Sequence, residues 1–210
     1  MSIPEFTGDN GGLGGVAVGI VTNNKDPKNL GRVRLQFPWR DADDESYWAR
    51  IATPMAGKDR GTYFLPEPED EVLVAFENRD IHHPYVIGAL WNGEDEPPEK
   101  NADGKNDVRK IRSRSGHEVV FDDSESEGKV EITTNGGHTV VLDDSGGGAI
   151  SIEDAGQNKI EFDSEQGAIT LSSSTKLTID TPMLELKADG NANIEASGVL
   201  TLKGSIVNIN

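Results

Sequence analysis

The chain has 210 residues, only 34% of them hydrophobic, and glycine occurs 24 times, a balance that suits short strands and many turns better than a thick monomeric core. A formal charge of −17 opposes binding to nucleic-acid phosphates or to an anionic membrane surface. With no cysteine in the sequence, disulfides and thiolate metal sites are excluded.

Residues 1–15, "MSIPEFTGDNGGLGG", have neither a basic n-region nor an apolar h-region and read as a flexible N-terminal segment. No stretch reaches the roughly 18 apolar residues of a spanning helix. The protein is therefore expected to be made in the cytoplasm without a signal peptide.

Residues 16–92 read as one unit. "GVAVGIV" is apolar and β-rich, and "GRVRLQFPW" puts Val33, Leu35 and Phe37 on one side. "SYWARIATP", "GTYFLPEPEDEVLVAF" and "HPYVIGALW" follow, separated by clusters of Pro, Gly and Asp. Five or six short strands with polar connections predict a small barrel or sandwich. Residues 93–112 begin as a charged stretch poor in apolar residues and read as a linker.

From 113 to 210 the chain repeats itself. "GHEVVFDDS" at 116–124 returns as "GHTVVLDDS" at 137–145, 21 residues on, the mark of a stacked architecture. Apolar-x-apolar pairs recur throughout: Val119/Phe121, Val130/Ile132, Val140/Leu142, Ile150/Ile152, Ile160/Phe162 and Ile169/Leu171. Five more follow, at Leu177/Ile179, Leu184/Leu186, Ala192/Ile194, Leu200/Leu202 and Val207/Ile209. They predict eleven strands, each with two apolar side chains on one face. The intervals shorten from 11 residues to 7 along the chain, so a prism built on them tapers.

Between the pairs stand Thr, Glu, Ser, Asn, Asp and Gly, so the other face is wet. Each apolar side chain contributes roughly 1.5–3 kcal/mol only when fully buried. Backbone ordering costs about 1–2 kcal/mol per residue regardless. The strands must therefore close around an axis. Three chains winding together would bury every pair, and so would a single-chain β-helix coiling every three steps; spacing leaves both open.

The barrel segment carries "GRVRLQFPW", "WARIATPMAGKDRG", "FLPEPEDEVLVAF" and "PYVIGALWNG". These motifs, in this order, resemble the OB-type barrel of the VgrG and phage baseplate-V spike family. "IRSRSGHEVVFDDSE" resembles the start of that family's trimeric prism, and together the likeness covers about residues 16–130. The resemblance implies an all-β chain, an N-terminal OB barrel at 16–92 followed by an intertwined, tapering trimeric β-helix at 113–210. It implies a structural central spike of a contractile phage tail or related injection system, assembled into the baseplate. The partners implied are two further copies of the chain, a separate hub protein at the barrel and a PAAR-like tip protein at the far end. The inner tail tube would be met indirectly and the target cell envelope transiently on sheath contraction. No large hub domain precedes the barrel, no lysozyme insertion interrupts the linker and no toxin follows the prism, so a minimal standalone spike is expected.

Catalytic residues and cofactors are not expected. His82 and His83 read as an ordinary turn before a strand, since a metal site needs three or four converging ligands. His117 and His138 recur in the repeat and could stack along a prism edge, where three-fold clusters would be conceivable. The family's apical His-x-His is absent from the closing "SIVNIN". "DDSGGG" (143–148) and "DGNAN" (189–193) read as turns, and Glu67, Glu69, Asp70 and Glu71 as an acidic solvated turn. Arg32 and Arg34 are expected to pair with acidic groups on a neighbour, and nucleic acid is not an expected partner. The twenty-two apolar pair residues are assigned to the trimer core, and Val207, Ile209 and Asn210 to docking of the tip protein. The competing reading is a β-helical tailspike-type protein that binds or cleaves carbohydrate.

Overall fold

The computed structural model describes residues 15–41 and 43–209. The chain divides into two compact units between Arg112 and Ser113, and both are built of strands. The expected segment 1–14 and residue Asn210 lie outside the described residues.

The first unit holds β1 (Val16–Asn23), β2 (Arg34–Gln36), β3 (Arg50–Ile51), β4 (Ala56–Gly57), β5 (Arg60–Gly61), β6 (Glu71–Phe76), β7 (Pro84–Ala89) and β8 (Val108–Arg112). Five of them form a sheet in the order β2-β1-β6-β7-β3. β3 runs parallel to β7, and the other neighbours in that sheet are antiparallel. The two outer strands then meet each other. Val33 and Ala49 exchange backbone hydrogen bonds of 3.1 and 2.8 Å just outside β2 and β3, which brings the sheet round into a barrel. Irregular registers at Val21/Asn23 and at Leu73/Val74 supply the local bending that such closure needs.

The alternation seen in the sequence fills this barrel. Val21, Val33, Leu35, Phe37, Ala49, Val72, Val74 and Val86 are fully buried, with Ile51, Leu65, Phe76 and Ile81 packed against them. Gly19 makes room for Phe37, whose ring would lie 3.4 Å from a Cβ at that position. β4 and β5 form a separate two-stranded hairpin.

The second unit contains β9 (Glu118–Asp122), β10 (Lys129–Thr133), β11 (Thr139–Asp143), β12 (Ala149–Glu153), β13 (Lys159–Asp163) and β14 (Ala168–Ser172). These six strands pair in sequence order, each antiparallel to the next and without a register slip. Strands and connections together take about ten residues per step, enough for a five-residue strand and a tight return.

Beyond Ser172 no strand forms among the described residues. The chain is without regular secondary structure here, with bends at 174–175, 182, 189–190, 197–198 and 205. The five strands expected here are thus not paired within the chain. The bends recur at the spacing read from the sequence, but they do not return each run alongside the previous one. A strand is defined by a hydrogen-bonded neighbour, and this chain supplies none there.

Candidate functional site: two apolar ladders on the strand meander

The registers of β9 to β14 align the first six apolar pairs into two continuous columns. One runs Val119, Ile132, Val140, Ile152, Ile160, Leu171; the other runs Phe121, Val130, Leu142, Ile150, Phe162, Ile169. Side chains two apart on a strand share a face, so both columns stand on the same side of the sheet. Directly opposed residues of this kind interact across strands. Neither column is covered by the rest of the chain. Eight of the twelve side chains are exposed, from 39% at Phe162 to 67% at Ile169, and Val119, Val130, Val140 and Ile160 are half-buried.

The other side of the sheet is mostly polar and charged, with Val120 and Val141 flanking Glu131 in its central row. Along one of its rows Lys129 stands opposite both Asp122 and Asp143, and its ammonium lies 3.0 Å from the Glu131 carboxylate. The Glu131 hydrogen bond is the leading cause of the raised Lys129 pKa, with Asp122 and Asp143 adding to it. Lys159 pairs likewise with Glu161 at 3.0 Å. The sheet is therefore two-sided, dry on one face and wet on the other.

Each edge of the meander is fixed by a recurring turn. On one edge Asp122 and Asp143 accept hydrogen bonds from the backbone N–H of Ser124 and Ser145, at 3.0 and 2.8 Å. Hydrogen bonds from these serines hold both carboxyls below their usual range. The "DDSGGG" stretch is thus a turn. On the opposite edge His117 Nδ1 accepts the N–H of Asn135 at 3.2 Å, and His138 Nδ1 accepts the N–H of Ala155 at 3.4 Å. Asn158 Oδ1 takes the same role toward Ser174 N–H at 3.0 Å. Every second turn is clasped to the next by the side chain that follows it. The sequence marked these histidines as an edge column; the signal for their actual bonding was the "GH" repeated 21 residues apart.

The remaining assigned positions lie in the tail beyond Ser172. Leu177, Ile179, Leu184, Leu186, Ala192, Ile194, Leu200, Leu202, Val207 and Ile209 are all exposed. The structure does not bring them into one cluster within the chain, and Asn210, the third of the tip-docking residues, is outside the described range.

In the barrel, the arginines sit on acids of their own chain. Arg32 donates from Nε and Nη2 to Asp26, both at 2.8 Å, and Arg34 donates to Glu45 at 2.7 Å. Both guanidinium groups face the Trp48 ring, 5.9 and 5.3 Å from its centroid. His82 and His83 belong to a turn: Asp80 accepts the His82 N–H at 2.9 Å and lies 3.0 Å from His83 Nδ1. The acidic run is also a turn, with Asp70 accepting the N–H of Glu67 at 2.8 Å. Among the described residues no three His, Asp or Glu side chains are grouped as metal ligands, and no helix is long and apolar enough to cross a membrane.

A barrel with this strand order and these motifs is of the OB type. Residues 17–91 match the type VI secretion system/phage-baseplate injector OB domain. The chain is 30% identical over 103 residues to the type VI secretion system spike protein VgrG3 of Vibrio cholerae, covering 45% of this chain and 10% of that protein. It is 33% identical over 111 residues to the spike protein VgrG5 of Pseudomonas aeruginosa, covering 43% and 14%, and 35% identical over 72 residues to VgrG2a of the same organism, covering 32% and 9%. The chain thus spans about a tenth of the length of these curated relatives. Over residues 17–91 the chain is similar to the OB domain of the VgrG and phage baseplate-V spike family.

Proposed function

We propose that the protein is the structural central spike of a contractile phage tail or phage-tail-like injection system, and that it works as a homotrimer with no catalytic step. The observation that carries this reading is the pair of six-rung apolar ladders left open on a sheet that is already fully paired along its own strands. Three such sheets, ladders inward, make a three-sided prism with a dry core. Burial of each ladder side chain then contributes roughly 1.5–3 kcal/mol, repeated in every copy.

The tail extends the same logic. Its apolar pairs continue at intervals of 7 or 8 residues, yet among the described residues none of its backbone is paired in a strand. Winding about a common axis with two other copies gives every run a neighbour above and below. Intertwining is then confined to 173–210, and the 118–172 region contributes one self-paired wall per copy. In this assembly the barrel seats on a separate hub protein. A PAAR-like protein caps the far end against Val207, Ile209 and Asn210, and sheath contraction drives the whole through the target envelope.

Solution mass by light scattering tests the assembly. Three copies of a 22.6 kDa chain give a particle of about 68 kDa, whereas a 22.6 kDa species rejects the trimer and favours the carbohydrate-active reading, which a sugar-release assay then examines. Deleting 205–210 tests the tip: unchanged capture of a PAAR-like protein would remove that docking face.

A further inference from the structure

The barrel unit carries an unpartnered surface of its own. The β4–β5 hairpin and the loop that ends at Gly31 form the walls of a concavity of about 580 Å³. Four of its lining residues are large, apolar and exposed: Leu30 at 65%, Met55 at 52%, Tyr63 at 74% and Phe64 at 68%. Exposed apolar side chains gathered around one concavity mark an interaction site.

The hairpin holding it is built to a fixed geometry. Gly61 has φ of +152°, and a Cβ there would lie 2.6 Å from the Met55 carbonyl oxygen. Thr53 Oγ1 ties the two arms together by donating to the Thr62 carbonyl at 2.7 Å. The apolar walls are therefore held in place before anything binds, which lowers the ordering cost of binding.

The rim is basic on a strongly acidic protein. Lys28 stands beside the loop wall, while Lys58 and Arg60 occupy the hairpin. Four other cations of this unit are matched: Arg32 with Asp26, Arg34 with Glu45, Arg40 with Asp44, Lys100 with Glu96. Among the described residues no such ion pair is formed by Lys28, Lys58 or Arg60. The carboxylates on the two rim segments are Asp26, which is occupied by Arg32, and Asp59.

We infer that this groove docks an acidic peptide segment bearing an apolar side chain, presented by a different protein on which the barrel seats. The apolar side chain fills the space between Leu30, Met55, Tyr63 and Phe64, and flanking carboxylates meet Lys28, Lys58 and Arg60. The charge of −17 disfavours a polyphosphate strand, while three cations suit a short run of carboxylates. The inference rests on the proposed spike reading for the identity of the partner as a hub, and not for the chemistry of the groove.

The test uses the full chain and a fluorescein-labelled dodecapeptide of glutamates around a central Leu-Phe pair, read by anisotropy. Saturable binding is expected, weakened about tenfold by Lys58→Glu with Arg60→Glu and by Phe64→Ser. An otherwise identical glutamine peptide is expected to bind at least tenfold more weakly. Equal binding of both peptides, no saturable binding, or preferential binding of an oligo-dT strand would each overturn the inference. So would a change of particle mass on Phe64→Ser, which would make the patch a contact between copies. Because mass and peptide binding are read separately, a monomeric chain that still binds the acidic peptide would reject the trimer and retain the groove.

Discussion

Arg32 grips Asp26 with two parallel hydrogen bonds, and the same carboxylate also accepts the backbone N–H groups of Lys28 and Leu30 at 2.9 and 3.0 Å. Asp26 is thereby buried with four donors around it, and it fixes the whole loop between β1 and β2. The Arg32 hydrogen bond is the leading reason that its carboxyl titrates well below the usual carboxylate range.

Asp26→Asn is expected to loosen this loop and lower the melting temperature of the barrel. The folded-state pKa is depressed, so the stabilisation is complete above about pH 4 and is lost as the pH falls further. Replacement by Asn should therefore cost most at neutral pH and progressively less in acid. Tryptophan fluorescence follows the barrel selectively, because Trp39, Trp48 and Trp91 all lie in the first unit. An unchanged melting temperature at pH 7 would show that the four-donor cage contributes nothing.

Ile150 stands in the middle of one ladder, opposite Leu142 and Phe162. Within the proposed trimer, Ile150→Ala should cost about 2–5 kcal/mol per copy, the range for buried large-to-small changes. Ile150→Asp should reduce the particle to monomer in light scattering. Glu161, on the charged face, serves as the control. Its exposed pair with Lys159 predicts a change within about 0.5 kcal/mol for Glu161→Ala. Equal effects from the two positions would mean that the ladder face is not the buried one.

Much of this arrangement could be read from the residues. Val119/Phe121 through Ile169/Leu171 alternate with period two, and the structure places all six pairs in strands with their apolar members on one face. Val33, Leu35 and Phe37 likewise announced the barrel core. What the alternation does not encode is the identity of the neighbour. A five-residue strand looks the same whether its partner is the next strand of its own chain, as for Val130 and Leu142, or a strand of another copy. The self-paired meander was for that reason not legible, and nor was the absence of pairing beyond Ser172. The basic groove was hidden too, since "MAGKDRGTYF" has no periodicity and its exposed Tyr63 and Phe64 read like strand residues.

The clasp between successive turns gives a further expectation. His138 contributes an acceptor, so His138→Ala removes a hydrogen bond worth about 0.5–1.5 kcal/mol. His138→Asn supplies a side-chain oxygen at the position where the next repeat already uses Asn158. Amide exchange at Ala155 should accelerate about fivefold in the alanine variant and much less in the asparagine variant. Equal acceleration in both would show that imidazole packing, and not the acceptor, holds the turn.

Gly61 makes the sharpest demand on a single position. Its positive φ disfavours any side chain, and the Met55 carbonyl leaves no space for a Cβ. Gly61→Ala must move the hairpin, at a cost of about 1–3 kcal/mol for the strained backbone alone. Gly93 is the matched control, because it has ordinary φ and no atom within 4 Å of an added Cβ. Gly93→Ala should leave stability unchanged or raise it by about 0.4–1 kcal/mol through the unfolded state. Thermal melts followed by tryptophan fluorescence separate the two. A Gly61→Ala protein that melts like the parent would mean that the hairpin relaxes freely, and the groove beside it could then not be a preformed surface.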